Sequence, residues 1–427
     1  MLDIKRIRQE PDSYRTALAR RLDPSLDAAL DSVLQLDARR REILTRVEAV
    51  KAERNASSEE VARLKKAGQP ADQLLARLKG SGEEVKALDA QVRQVDEQLE
   101  AELLRVPNLP HPAVPDGPAS GNRVVRHCGE VPQFDFEPRP HWELGASLGL
   151  FDLPRGAKLT GSGFPLFTGM GARLVRSLAN FMLDLHTREH GYTEVAPPFL
   201  VNRGSLIGTG QLPKFEEDLY RTTEDDFFLI PTAEVPVTNI HRDEILDAGA
   251  LPVALVAHTP CFRREAGAHG KDTRGLIRIH QFDKVELVRL VRPEDSDTEH
   301  ALITRHAEVV LQQLGLPYRV LELAAGDTGF SAARTFDLEV WAAGVSGWLE
   351  ASSSSTFTDF QARRANIRFR PEAGARPEFV HTLNASGVAF PRTIIALLEN
   401  NQQPDGSVRI PEALVPYLGM DRLAPRA

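Results

Sequence analysis

The chain has 427 residues, 42% hydrophobic and 26% charged, the proportions of a globular protein with enough apolar material for a large core. No apolar run approaches the ~18 residues of a membrane helix, and the only two cysteines, Cys128 and Cys261, exclude a disulfide framework or a cysteine-rich zinc site. The 52 basic and 60 acidic side chains leave a net charge of −8, which taken whole speaks against a nucleic-acid partner. Met1-Leu2-Asp3-Ile4-Lys5 mixes charged with apolar residues and has no signal-peptide core, so a cytoplasmic protein without a membrane partner is expected.

Residues 26–105 contain one proline, Pro70, and no aromatic residue, and are rich in Ala, Leu, Glu, Arg and Gln, a composition for long helices. Val85, Leu88, Val92, Val95 and Leu99 recur in steps of three and four, as do Ile43, Val47 and Val50, so each helix has a seam that needs a partner. The breaker Gly68-Gln69-Pro70 lies between the seams. A fold-back there pairs Ile43 with Val95, Val47 with Val92, Val50 with Leu88, Leu36 with Leu103 and Val61 with Leu78. The reading is an antiparallel helical hairpin of roughly 50 Å at 1.5 Å per residue. At one height Ser57-Ser58 faces Ser81-Gly82 and Arg54 faces Val85, which predicts a flexible joint with a break near residues 80–82. Residues 39–79 hold 11 basic and 6 acidic groups, a net +5, whereas residues 80–105 hold 3 and 7, a net −4. The outer arm is therefore basic on an acidic protein, either as a binding surface or as an ordinary solvated helix face.

Pro107, Pro110, Pro112, Pro115 and Pro118 then end the helical region and read as a stiff linker. The expected division is an arm domain over 1–106, a linker over 107–121 and a second domain over 122–427, whose short apolar runs, glycines and intervening helical stretches form an α+β pattern.

Three segments of that second domain carry polar groups where a buried strand has no use for them. In Leu229-Ile230-Pro231-Thr232-Ala233-Glu234-Val235, extended chain puts Thr232 and Glu234 on one face, suited to a substrate ammonium group. The competing reading is a turn in which Thr232 caps a helix and Glu234 occupies its first turn. In Pro260-Cys261-Phe262-Arg263-Arg264-Glu265, Arg263 and Glu265 share a face if extended, and can hold a phosphoryl group and an exocyclic amine. A returning strand over Ile277–Leu290 places Arg278, His280, Phe282, Lys284 and Glu286 on one face, with Phe282 and Glu286 about 13 Å apart, the span between a stacked base and the acyl group of an adenylate. An exposed sheet face with alternating charge is the plain alternative. Trp348-Leu349-Glu350-Ala351-Ser352-Ser353 offers a carboxylate and hydroxyls for Mg²⁺ and phosphate oxygens. In Asn384-Ala385-Ser386-Gly387-Val388-Ala389-Phe390-Pro391-Arg392, Pro391 opens a buried helix that carries Arg392 at its start.

Together these strings resemble a known family. Phe262-Arg263-Arg264-Glu265 is similar to the second signature motif of class II aminoacyl-tRNA synthetases. Gly191-Tyr192 followed by Pro198 resembles the first, a dimer-interface motif, and the segment ending at Arg392 resembles the third. With Thr232-Ala233-Glu234, Thr273-Arg274-Gly275-Leu276-Ile277-Arg278 and His280-Gln281-Phe282-Asp283-Lys284-Val285-Glu286, the resemblance narrows to seryl-tRNA synthetases of bacterial type and spans essentially the whole chain. It implies a coiled-coil arm that binds tRNA, followed by a class II catalytic domain built on an antiparallel β-sheet flanked by helices.

The resemblance also implies an ATP- and Mg²⁺-dependent serine–tRNA ligase acting as a homodimer on tRNA(Ser), with use of tRNA(Sec) left open. Arg263 would hold the α-phosphate, Glu265 the adenine amine, and Phe282 and Arg392 the two faces of the base; Arg264, Ile279, Ala351 and Ser352 would complete the ATP site. Glu350 and Ser353 would bind Mg²⁺. Thr232, Ala233 and Glu234 would receive the serine ammonium group, and Glu286 and Ser386 its hydroxyl. Arg263, Glu265 and Arg392 would serve catalysis. The third motif has less glycine than the family usually shows, and Ser354 stands where a Cys or apolar residue is common. Two other functions stay open: a synthetase paralogue that loads a carrier protein or serves antibiotic synthesis, and a non-catalytic coiled-coil interaction protein.

Overall fold

The computed structural model describes residues 1–266 and 274–425. The described chain divides into two compact units, one formed by Leu2–Ala19 and Asp23–Pro107, the other by Met1, Arg20–Leu22 and the chain from Asn108 onward.

The first unit holds α1 (Ile4–Gln9), α2 (Pro11–Ala19), α3 (Ser25–Lys66) and α4 (Asp72–Leu103). Helices α3 and α4 form the expected antiparallel hairpin. Ile43, Val47 and Val95 are buried in its seam, with Leu36, Leu88 and Val92 packed beside them. Gly68 closes α3 at φ +70°, and the Gln69 N–H returns to Leu64 O at 2.9 Å, the bond that ends a helix through a left-handed residue. The break expected near residues 80–82 is absent: both helices run uninterrupted through that level. Glycine within a helix costs only about 1 kcal/mol each. Val85 is buried, and ion pairs Arg46–Glu84 and Arg77–Glu53 tie the two helices nearby.

The second unit is built on eight strands, β1 (Arg123–Cys128), β2 (Thr193–Glu194), β3 (Val253–Phe262), β4 (Gln281–Val291), β5 (Tyr318–Glu322), β6 (Arg334–Ala342), β7 (Gly347–Thr358) and β8 (His381–Ala389). Their order is β1-β5-β6-β7-β8-β4-β3-β2, and every pairing is antiparallel except β2 with β3. Helices α5 (His141–Leu148), α6 (Met170–Arg188), α7 (Glu234–Thr238), α8 (Ser296–Gln313), α9 (Phe360–Ala365) and α10 (Phe390–Asn400) accompany the sheet. The period of two divides β4. Val285, Leu287 and Val291 enter the main core with Leu178 of α6, Val310 of α8 and Ile394 of α10. Phe282, Lys284 and Glu286 point the other way, and farther along that face Val288 and Leu290 enter two small apolar clusters.

Three local expectations change. Residues 277–280 lie outside the strand, which starts at Gln281. Their backbone groups are taken elsewhere: the His280 N–H donates to Gly163 O at 2.8 Å, and the Arg263 N–H to His280 O at 2.9 Å. Arg278 and His280 therefore do not share the β4 face. Likewise β3 ends at Phe262, and Glu265 adopts φ +52°, so Arg263 and Glu265 are not alternate residues of one extended segment. Thr232 and Glu234 follow the competing reading, because Glu234 begins α7 and its N–H donates to the Thr232 hydroxyl at 3.2 Å. From Asn108 the proline-rich segment is hydrogen-bonded within the second unit. Asn108 N–H donates to Phe330 O at 2.9 Å, His111 N–H to Ala333 O at 2.8 Å, and Pro115 O accepts from Ala325 N–H at 2.8 Å.

Candidate active site

A cavity of about 510 Å³ opens over the polar face of β4. Thr232, Glu234, Arg263, Glu265, Ile279, Phe282, Glu350, Ala351, Ser352, Ser353, Ser386 and Arg392 all line it. Three expected residues do not. Arg264 is exposed to solvent elsewhere. Ala233 is fully buried with Val237 and Val288 beneath the cavity. Glu286, also fully buried, communicates with the cavity through its hydrogen-bond partners. Thr273 lies outside the described residues.

One end of the cavity is a closed polar network. Lys284 pairs with Glu286, and its ammonium donates to the Thr232 hydroxyl at 2.7 Å. Asn384 Nδ2 donates to Glu286 Oε1 at 2.9 Å and to Glu234 Oε2 at 3.1 Å. Gln361 Nε2 donates to Glu234 Oε1 at 2.6 Å, and Gln361 in turn accepts from the Thr382 hydroxyl at 2.7 Å. Burial, and then the nearby Glu286 charge, push the Glu234 carboxyl up to about 7. Two carboxylates beside a single ammonium, with hydroxyls between them, form a receptor for a small cationic amine that bears a hydroxyl.

The other end gathers arginines, an aromatic ring and a carboxylate, groups able to hold a flat base and phosphates. The Arg263 guanidinium carbon lies 5.2 Å from the centre of the Phe282 ring. Glu265 pairs with Arg278, which fixes a carboxylate at the cavity wall. Arg392, at the start of α10, donates from Nη1 to Glu350 O at 2.7 Å and comes within 3.5 Å of the Glu350 carboxylate. Ser352 is turned inward, its hydroxyl donating to Ser386 O at 2.6 Å. The glycine-poor third motif has a backbone consequence. Val388, at a register shift between β8 and β4, takes φ 142°, a conformation that glycine adopts with less strain. Ser354 faces away from the cavity, where its hydroxyl meets that of Thr304 at 2.8 Å.

Residues 1–110 match the seryl-tRNA synthetase N-terminal domain, and residues 214–401 match the tRNA synthetase class II core domain (G, H, P, S and T). The serine–tRNA ligase of Alkaliphilus oremlandii is 55% identical over 419 residues, 98% of each chain. That of Gemmatimonas aurantiaca is 56% identical over 425 residues, 99% of this chain and all of the other. The chain belongs to the seryl-tRNA synthetase family. The crystal structure of seryl-tRNA synthetase from Pyrococcus horikoshii complexed with ATP superposes with a TM-score of 0.95 over the whole of both chains at 37% identity.

Family membership accounts for the motif residues, but the cavity uses others that motif reading passed over. Gln361 comes from α9 and Asn384 from β8, and no local pattern announces that both meet Glu234. Asp337 of β6 lies opposite Ser353 of β7 and lines the cavity. Its alternation with Thr335 along the strand was the available signal. Burial, reinforced by Glu350, raises the Asp337 carboxyl well above its ordinary range, and among the described residues its buried Oδ1 has no hydrogen-bond partner. This corner suits Mg²⁺: every donor is a hard oxygen, and the unpartnered Asp337 oxygen lies beside Glu350 and Ser353. Among the described residues no three His, Cys, Asp or Glu side chains are grouped as metal ligands.

Proposed function

We propose that this cavity joins L-serine to ATP as seryl-adenylate and passes the seryl group to the 3′ end of tRNA(Ser). The observation that carries the reading is the Lys284–Glu286–Asn384–Glu234 network at one end of a cavity whose other end presents Arg263, Phe282 and Arg392. The serine carboxylate attacks the α-phosphorus in line and pyrophosphate leaves. The terminal ribose hydroxyl of tRNA then attacks the seryl carbonyl and AMP leaves. No protein nucleophile is required.

In this reading Thr232 and Glu234 receive the ammonium group, while Glu286 and Ser386 bond the hydroxyl. Glu265 accepts from the adenine amine and Phe282 stacks on the base, with Arg392 covering its other face. Arg263 and Arg392 neutralise phosphate charge as it moves, and positioning supplies most of the acceleration. Glu350 and Ser353 would hold Mg²⁺, which when bound screens phosphate charge. The basic outer arm, net +5 over residues 39–79, supports tRNA binding by that hairpin. Arm, linker and catalytic domain are divided at 106 and 121, a division supported by the end of α4 at Leu103 and the start of β1 at Arg123.

The same reading includes a cytoplasmic homodimer. Exposed Phe199, Leu200 and Phe227, close to the first-motif segment, support a covered apolar surface there. Among the described residues no helix is long and apolar enough to cross a membrane. ATP–pyrophosphate exchange measured across the amino acids tests the assignment, and serine alone should support it. Equal exchange with alanine or glycine would remove serine as the substrate. Charging assays with tRNA(Ser) and tRNA(Sec) separate the two acceptors, and sedimentation reads the dimer.

A further inference from the structure

His141 begins α5 and Glu399 lies in the last turn of α10, and both side chains are fully buried. His141 Nδ1 is 2.8 Å from Glu399 Oε1, and the same oxygen accepts the His141 main-chain N–H at 2.8 Å. Glu399 Oε2 accepts from Gly344 N–H at 2.8 Å and Val345 N–H at 3.1 Å, so the carboxylate is held on both oxygens. On the other side of the ring the Leu276 N–H donates to His141 Nε2 at 3.0 Å. That bond needs a lone pair on Nε2. The proton therefore sits on Nδ1 and points at Glu399, a single defined tautomer.

Leu276 begins a wall of the cavity: Leu276, Ile277, Arg278 and Ile279 all line it, and Arg278 holds Glu265. This segment lies outside the β4 ladder until Gln281, so the sheet does not fix its position. Its far end is held at His280 by Gly163 O and the Arg263 N–H, and its near end at Leu276 by the imidazole. Gly275 shows how close the fit is: at φ +60°, a Cβ there would fall 2.2 Å from His141 Nε2. One residue earlier, the Arg274 guanidinium carbon lies 4.7 Å from the centre of the Trp142 ring, next to His141 in sequence. Helix α10 thus carries Arg392 at its start and, through Glu399 and His141, anchors the opposite wall.

We propose that His141, oriented by Glu399, is a positioning residue for ATP, setting the place of the 274–280 wall without touching the nucleotide. The inference rests on reading the cavity as an ATP site. The test is pyrophosphate exchange with the full chain, normalised by active-site titration, with KM measured separately for ATP and serine. His141→Leu removes the acceptor for Leu276 N–H, and should raise the ATP KM about tenfold, the effect of one lost buried hydrogen bond. The serine KM should move less than about twofold, because its groups lie at the other end of the cavity. His141→Gln, whose carboxamide oxygen can reach the Leu276 N–H, should restore most of the ATP KM. Gly275→Ala, which crowds Nε2 from the loop side, should reproduce the ATP effect and decides the matter if His141→Leu does not fold. A folded His141→Leu or Gly275→Ala chain with an unchanged ATP KM would overturn the proposal. So would an equal rise in both KM values, or a His141→Gln chain no better than His141→Leu. Absence of serine-dependent exchange in the unmodified chain would instead strike the reading of the cavity itself.

Discussion

Ser386 stands directly opposite Glu286 in the β8–β4 ladder, and its hydroxyl donates to the Glu286 carboxylate across 3.5 Å. A substrate hydroxyl reaching this long contact would accept from Ser386 and donate to Glu286, two bonds that a substrate without a hydroxyl cannot make. Discrimination against alanine in pyrophosphate exchange should therefore reach about 10⁴-fold. Glu286→Gln keeps the shape of the side chain but removes the charge that pairs with buried Lys284. It should reduce serine activation by at least about 10²-fold, a loss within the range for a charged buried hydrogen bond. Near-normal exchange in that variant would dismiss Glu286 from the hydroxyl site.

The Glu234 carboxyl, ordinarily near 4.5, is held at about 7 by burial and by Glu286. The native state therefore keeps a proton that the unfolded chain has released between those values. Its contribution to stability is complete below 4.5 and is lost as pH rises through 7. Ammonium binding needs the opposite, ionised form. Serine kcat/KM should accordingly climb with pH through an apparent pKa of about 7, while the melting temperature falls slightly over the same window. A flat kcat/KM profile between about pH 6 and 8 would contradict this account.

Excision of residues 36–103 should leave serine-dependent pyrophosphate exchange intact and abolish tRNA charging. Leu36 and Leu103 are the innermost pair of the predicted seam, which makes this the natural place to shorten the hairpin. Charging that survived the excision would remove the arm from tRNA recognition.

Gly82 lies inside α4, and a methyl group added there would meet nothing within 4 Å. Gly82→Ala should stabilise the arm by about 0.5–1 kcal/mol, because the unfolded chain loses freedom and no clash arises. Hydrogen exchange of the α4 amides reads this directly, and faster exchange around residues 80–84 would count against it.

The hairpin was legible because its information is local: a period, a breaker and a single fold-back point specify Ile43 against Val95 without reference to anything else. The β4 face was legible for the same reason, since alternation alone sets Phe282, Lys284 and Glu286 on one side. What alternation could not reveal is where a ladder stops. Arg278 and His280 continue the pattern, yet their segment is drawn away by Gly163, Arg263 and, through Leu276, His141. The Thr232–Glu234 pair reached the cavity from a helix start instead of a strand, so the right residues arrived by a different backbone. Gln361 and Asn384 were unreadable as site residues because their partner Glu234 lies 127 and 150 residues away in sequence, whereas Asp337 showed its alternation with Thr335 but not that Ser353 stands opposite it. Their placement follows from strand order and, for Gln361, from how α9 packs on the sheet, neither of which is displayed by local sequence.

Asn384 gives the cavity a measure of length. One side-chain amide nitrogen donates to both Glu234 and Glu286, so the oxygens proposed to receive the ammonium and the hydroxyl are held at a fixed spacing by one planar group. A homologue with one more methylene carries its hydroxyl past that mark, and one whose hydroxyl lies on a branched carbon needs room beside it. On the proposed assignment, a change at Asn384 should alter which side-chain length is admitted.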